Sequence, residues 1–153
     1  MENTAKTIEI LNDLILINND RIEGFEKAVK EIEESDENRD LTPVFLRCIA
    51  DSRQFKMELA GEVQVMGKDA EQGTSTGGKL HRAWIEVKET FTGHDRHSLL
   101  EECEFGEDAI KKAYQDAMEE DDLPSYIREM LSDQESIIMD AHDEIKDLRD
   151  SVQ

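Results

Sequence analysis

Turn-forming residues are scarce in this chain. Two prolines and eight glycines are spread over 153 residues, and strand-type alternation is nearly absent, which argues against a many-stranded fold. The two cysteines, Cys48 and Cys103, exclude a disulfide framework and a cysteine-rich metal knuckle. Both fall on apolar seams and read as small buried thiols. Long apolar runs are missing as well: Leu14 to Ile17 is the longest strongly apolar stretch, far short of the roughly 20 residues of a membrane span. The opening Met1-Glu2-Asn3-Thr4 lacks the basic region and apolar core of a signal peptide, so a cytoplasmic, reducing setting is expected. Basic residues number 18 against 38 acidic ones, a formal net charge of -20. Such a chain is repelled by nucleic acid and by anionic membranes, and neither is expected as a partner. No glycine-rich phosphate loop, Ser-His-Asp ordering or nucleophile motif appears.

What is present is helical period. Ile8, Leu11, Ile15, Asn18, Ile22, Phe25, Val29 and Ile32 follow an unbroken 3-4-3-4 spacing. That spacing predicts a helix from about Thr4 to Glu34, packed along its whole length. A polar turn at 35–40 precedes a second helix starting near Asp40 or Thr42, with Pro43 in its first turn. Its seam is Leu41, Phe45, Cys48, Ser52, Phe55, Leu59, Glu62 and Met66, closed by Gly67. Residues 68–78 form a loop longer than bundle hairpins need, which predicts a crossover. An extra short helix is expected at Lys79–Thr92 (Leu80, Trp84, Val87, Phe91), followed by a break at Gly93-His94-Asp95 with Asp95 as N-cap. A third main helix spans about Arg96–Glu120, on Leu99 or Leu100, Cys103, Gly106 or Glu107, Ile110, Tyr114 and Ala117. After a turn at Asp121–Pro124, a fourth carries Ile127, Leu131, Gln134, Ile138, Ala141, Ile145, Leu148 and Val152. The fold class is all-α: one domain over 1–153, a compact four-helix bundle.

Several seam positions are polar where leucine would cost less: Asn18, Ser52, Glu62, Gln134 and either Gly106 or Glu107. A buried polar group costs about 1–3 kcal/mol unless paired. Such plugs set helix register or line a polar or metal site. Di-iron bundles build that site from one Glu on each of two helices and Glu-x-x-His on the other two. Here Gly78, Phe91, His94 and Met139 stand three residues before His81, His94, His97 and His142. No Glu-x-x-His exists, and the di-iron template is not met. Glu62, Glu107, Gln134 and His142 remain the candidate ligands for iron, manganese or zinc in a degenerate site. His94, His97 and Glu101 could hold a metal at the surface. His142, level with Glu102 and Cys103 across a hairpin, is the one candidate for acid–base or nucleophilic work.

The stretches LNDLILINNDRIEGFEKA (11–28), DSRQFKMEL (51–59), GKLHRAWIEVKETFTG (78–93), LLEECEFGEDAIKKAY (99–114) and QESIIMDAHDEIKDLRD (134–150) resemble, in this order and spacing, a family of small bacterial proteins. It is a domain of unknown function, an uncharacterised four-helix-bundle group of the ferritin-like superfamily. The resemblance implies a ferritin-like bundle with a long connection between the second and third main helices. It supplies no activity and no catalytic or cofactor-binding residues. The superfamily's metal ligands do not transfer, since their motif is missing.

Three function classes follow. The first is a non-catalytic structural or interaction protein, a homodimer or higher homo-oligomer. The second is a divalent-metal protein, and the third an enzyme using His142, Glu102 and Cys103. If Asn18 serves register alone, Asn18→Leu raises the melting temperature; if it lines a ligand site, the same change abolishes binding.

Overall fold

The computed structural model describes residues 2–33, 36–68, 96–121 and 123–151. They form four α-helices: α1 (Glu2–Ile32), α2 (Leu41–Val65), α3 (Arg96–Met118) and α4 (Ser125–Asp150). A single 3₁₀ turn, Asp36–Asn38, links the first two. There is no strand among the described residues. The helices follow the apolar seams closely. α2 ends where Gly67 takes φ 87°. The Gly67 N–H bonds the Gln64 carbonyl and the Lys68 N–H reaches back to Val63, a closure that needs a left-handed residue and therefore glycine. At the start of α4 the Pro124 carbonyl accepts the Arg128 N–H at 2.9 Å. Asp95, His94, Trp84 and the expected short helix at 79–92 lie outside the described residues.

Side-chain bonds fix the helix directions. Asn18 and Arg21 on α1 bond Tyr114 and Glu107 on α3, so these two helices are antiparallel. Arg47 and Glu58 on α2 bond Glu144 and Gln134 on α4, again antiparallel. α1 and α2 are antiparallel as well, Asn18 meeting Ser52 and Phe25 meeting Phe45, so α2 and α3 point the same way. Arg96, at the start of α3, bonds Asp40 at 2.8 and 2.7 Å, beside the start of α2. The end of α2 and the start of α3 therefore stand at opposite ends of the bundle, about 37 Å apart for a 25-residue helix. The expected crossover would bridge that distance; residues 69–95 lie outside the described ones.

The pairing of α1 with α2 departs from the expected register. A hairpin centred on the 35–40 turn puts Ser52 a turn and a half from Asn18. Instead Ser52 and Asn18 are hydrogen-bonded at 2.8 Å. Phe25 meets Phe45 with ring centroids 5.3 Å apart. Both pairs are symmetric about position 35, before the 3₁₀ turn and the centre of the 35–40 linker.

The core falls into two apolar clusters. One gathers Leu11, Ile15, Phe55, Leu59, Ile110, Ile127, Leu131 and Ile138. The other gathers Phe25, Ile32, Leu41, Phe45, Cys48, Leu100, Cys103 and Ile145. Between them lies a layer of buried polar side chains that includes Asn18, Arg21, Ser52, Glu107 and Gln134.

Two glycines, Gly61 within α2 and Gly67 just after it, give opposite expectations. Nothing lies within 4 Å of a Cβ built on Gly61, so Gly61→Ala should stabilise by about 0.5–1 kcal/mol through helix propensity. Gly67→Ala should cost about 1–2 kcal/mol, because an L side chain is strained at positive φ. Urea unfolding of the two variants checks both signs.

Candidate functional site

Asn18 and Arg21 lie one helical turn apart on α1, so both side chains enter the bundle from one face. Arg21 has no solvent exposure. Its Nε donates to Glu107 Oε1 at 2.6 Å and its Nη2 to Glu107 Oε2 at 2.7 Å. Nη1 donates to Ser52 Oγ at 2.9 Å and to the Cys48 carbonyl at 3.4 Å. Four of the five guanidinium N–H groups are thereby used. The guanidinium carbon also sits 5.6 Å from the centroid of the Phe25 ring, a cation–π contact. Burial is the largest single effect and opposes the charge, but the attraction and hydrogen bonds of Glu107, together with Cys48 and Asp51, hold the guanidinium above its ordinary value. A fork-to-fork pair of this kind is the geometry in which a buried ion pair is best compensated.

From Arg21 a chain of hydrogen bonds runs through all four helices. Ser52 accepts from Arg21 and donates to Asn18 Oδ1 at 2.8 Å. Asn18 Nδ2 donates to the Leu14 carbonyl at 2.8 Å and to the Tyr114 hydroxyl at 2.9 Å. A carbonyl only accepts, so Leu14 fixes which way the Asn18 amide points. Tyr114 donates to Gln134 Oε1 at 2.7 Å, and Gln134 Nε2 donates to Glu58 Oε1 at 2.9 Å. Every donor in the series points the same way, from the buried cation to a carboxylate at the surface. Such one-directional chains polarise each member toward the next. Burial raises the Tyr114 phenol above its ordinary value, against the lowering effect of the Asn18 bond.

The series surfaces in a groove of about 480 Å³ between α2 and α4, the least closely packed of the four neighbouring helix pairs. Five carboxylates line it: Asp51, Glu58, Glu62, Glu129 and Asp133. Burial lifts Asp51 above the usual carboxylate range, and Arg21 and Arg47 offset this only in part.

The four candidate metal ligands are not gathered at one place. Glu107 faces Arg21, and Gln134 faces Tyr114 and Glu58. Glu62 stands half-buried on the groove. His142 belongs to a separate cluster on α3 and α4. Its Nε2 lies 2.7 Å from Asp108 and 3.6 Å from Glu104, and its Nδ1 3.1 Å from Asp143. Glu104 in turn pairs with Arg149. The cross-helix partner of His142 is thus Asp108 with Glu104, where sequence spacing suggested Glu102. The hairpin of α3 and α4 pivots nearer Pro124 than the middle of the 121–124 turn. His97 and Glu101 approach only to 3.9 Å at the surface. Among the described residues no group of three or more His, Cys, Asp or Glu is arranged to hold a metal ion.

The cysteines are free and buried. Burial pushes the Cys48 thiol up to about 12 and the Cys103 thiol well above its ordinary value. Both stay protonated at neutral pH and are poor nucleophiles. Two members of the polar layer escaped sequence reading. Tyr114 passed as an ordinary seam residue. Arg21 stands beside the seam residue Ile22, where a charge normally signals solvent; its one signal was the Asn18-x-x-Arg21 spacing, which puts a cation on the face of a known plug.

The chain belongs to the family described as domain of unknown function (DUF2383), whose model matches residues 6–120. That span takes in most of α1 and all of α2 and α3, and stops before α4. No curated protein matches the chain.

Three substitutions separate the parts of the layer. Arg21→Met leaves Glu107 buried and unpaired and should cost about 3–5 kcal/mol, whereas Arg21→Met with Glu107→Leu should recover most of the loss. Asn18→Leu removes the partner of both Ser52 and Tyr114. It should lower stability by about 1–3 kcal/mol, the reverse of what a register device predicts. Chemical denaturation of the single and double variants measures these differences. A further expectation concerns alkaline pH. Unfolded thiols titrate near about 8.5, below the folded value of about 12 for Cys48. Their contribution is complete below about pH 8.5 and is lost as pH rises toward the folded value. Unfolding free energy measured across this range should decline, and Cys48→Ala with Cys103→Ala should flatten the decline until tyrosine ionises near about pH 10.

Proposed function

We propose that this protein is a ferritin-like bundle that acts as a non-catalytic structural or interaction protein, its centre closed by an internal cation. Arg21 carries the reading. The helix order supports ferritin-like descent: α1 lies beside α2 and α3, α2 lies beside α4, and the parallel α2 and α3 require a crossover between them. In that superfamily the interior between the helices holds metal. Here the residues do not fit one. Glu107, the carboxylate of the polar layer, is committed on both oxygens to a guanidinium. Its neighbours are a serine hydroxyl, a phenol and two amides, a donor set too neutral for a hard divalent cation. A metal would also have to approach a fixed positive charge in a medium of low dielectric. The reactive side chains support the same reading: both thiols are buried and protonated, and His142 is tied to Asp108.

Outward, the helices expose large apolar side chains, among them Met57, Phe105, Tyr126 and Ile137, which fits a protein that binds others. Free cysteines fit a reducing compartment. Elemental analysis of untagged protein purified without chelator should find less than about 0.1 iron, manganese or zinc per chain, since a working site is mostly filled. The melting temperature should be unchanged by chelator or by added metal. A stoichiometric metal, or a metal-dependent rise in melting temperature, contradicts the reading.

A further inference from the structure

We infer that the groove between α2 and α4 docks a basic amphipathic helix of a partner protein. This deepens the interaction reading above and rests on it. Tyr126, Met130 and Ile137 follow helical spacing on α4, forming a second apolar stripe beside the core seam, with Met130 half-buried against the core and Tyr126 and Ile137 standing outward. Tyr126 is 55% exposed and Ile137 42%, large apolar side chains that the bundle itself does not cover. With Phe55 of α2 they make the apolar floor and wall of the groove. An i, i+4, i+11 stripe in an elongated groove matches the anchors of a helix laid along it.

Charge selects the occupant. Asp51, Glu58, Glu62, Glu129 and Asp133 border the groove, and among the described residues no lysine or arginine lines it. The groove between α1 and α2 differs: there Lys27, Lys30 and Arg53 stand among glutamates. A second copy of this chain, with net charge -20, would bring like charge against like. A partner helix with apolar anchors on one face and lysine or arginine on its flanks meets both features of the groove. Its cations would reach Glu58, the surface end of the buried hydrogen-bond series, so docking there pulls on the same carboxylate that Gln134 holds.

The probe is a fluorescein-labelled amphipathic leucine–lysine helix of about four turns, titrated with the protein by anisotropy. Binding should be saturable and weaken with salt. Tyr126→Ser with Ile137→Ser leaves the charge unchanged and should weaken binding by about tenfold or more, as loss of central anchors does. Glu62→Lys with Glu129→Lys should weaken it similarly, while the distant pair Glu119→Lys with Asp147→Lys should not. Circular dichroism establishes that each variant is folded. The inference is overturned if a scrambled peptide of the same composition binds as well, or if the Tyr126/Ile137 variant binds unchanged. It is overturned too if sedimentation shows a dimer that this variant abolishes, since the groove is then filled by a second copy. Failure of the peptide to bind metal-free protein removes the groove assignment and leaves the closed interior intact, whereas a metal-filled bundle removes the interior reading whatever the peptide does.

Discussion

A guanidinium buried without water must be neutralised and hydrogen-bonded together, or the helix that carries it leaves the core. Arg21 satisfies both demands only when three helices are in register. α3 must present Glu107 with both oxygens in the guanidinium plane. α2 must present Ser52 and the Cys48 carbonyl on the other side. Each requirement is directional, unlike the apolar contacts above and below, which tolerate sliding by a fraction of a turn. The ion pair therefore does for this bundle what leucines cannot: it rejects the many near-equivalent packings of four amphipathic helices.

The remaining polar layer follows from that anchor. Once Ser52 accepts from Arg21, its own proton goes to Asn18, and the Asn18 amide must turn its nitrogen to Leu14 and Tyr114. The phenol then donates to Gln134, which donates to Glu58. No member has a free choice, so the layer is one cooperative unit and not five separate plugs. It divides the core in two and ties α4, which packs chiefly on α3, into the same unit. The unit ends in an open acidic groove, and an event at Glu58 has a hydrogen-bonded route to the centre of the molecule.

The helices were legible because their apolar periodicity is strong and their breakers few. Gly67 fell at the end of α2 for the reason expected of a glycine after an apolar seam, a left-handed turn. The need for a long connection between α2 and α3 was legible from loop length alone. Asn18, Ser52, Glu107 and Gln134 also announced themselves, as polar residues on positions that periodicity reserves for leucine. Arg21 did not, because burying an arginine depends on a partner 86 residues away, and a one-dimensional pattern cannot weigh that partner. Register failed for a related reason. Bisecting the linker misplaced Ser52 by a turn and a half, since the two helices pair about position 35, before the linker's centre. The same error in the second hairpin assigned His142 to Glu102 when Asp108 and Glu104 receive it.

The family match over 6–120 sets the chemistry of the layer within the matched span, apart from Gln134. Arg21, Glu107, Asn18, Ser52 and Tyr114 all come from α1, α2 and α3. α4 adds the last link and the apolar stripe, so the groove is the part of the molecule that lies partly beyond the match. The groove thus joins α2, inside the match, to α4, outside it.

The state of the Arg21 side chain is the most direct measure of this account. In ¹⁵N-labelled protein at neutral pH, the Arg21 Nε–H and Nη–H resonances should be separately resolved, slow to exchange with solvent and unbroadened by added Mn²⁺. A single averaged, rapidly exchanging guanidinium signal, or selective broadening of it by Mn²⁺, would mean that the centre of the bundle is open and that no internal cation closes it.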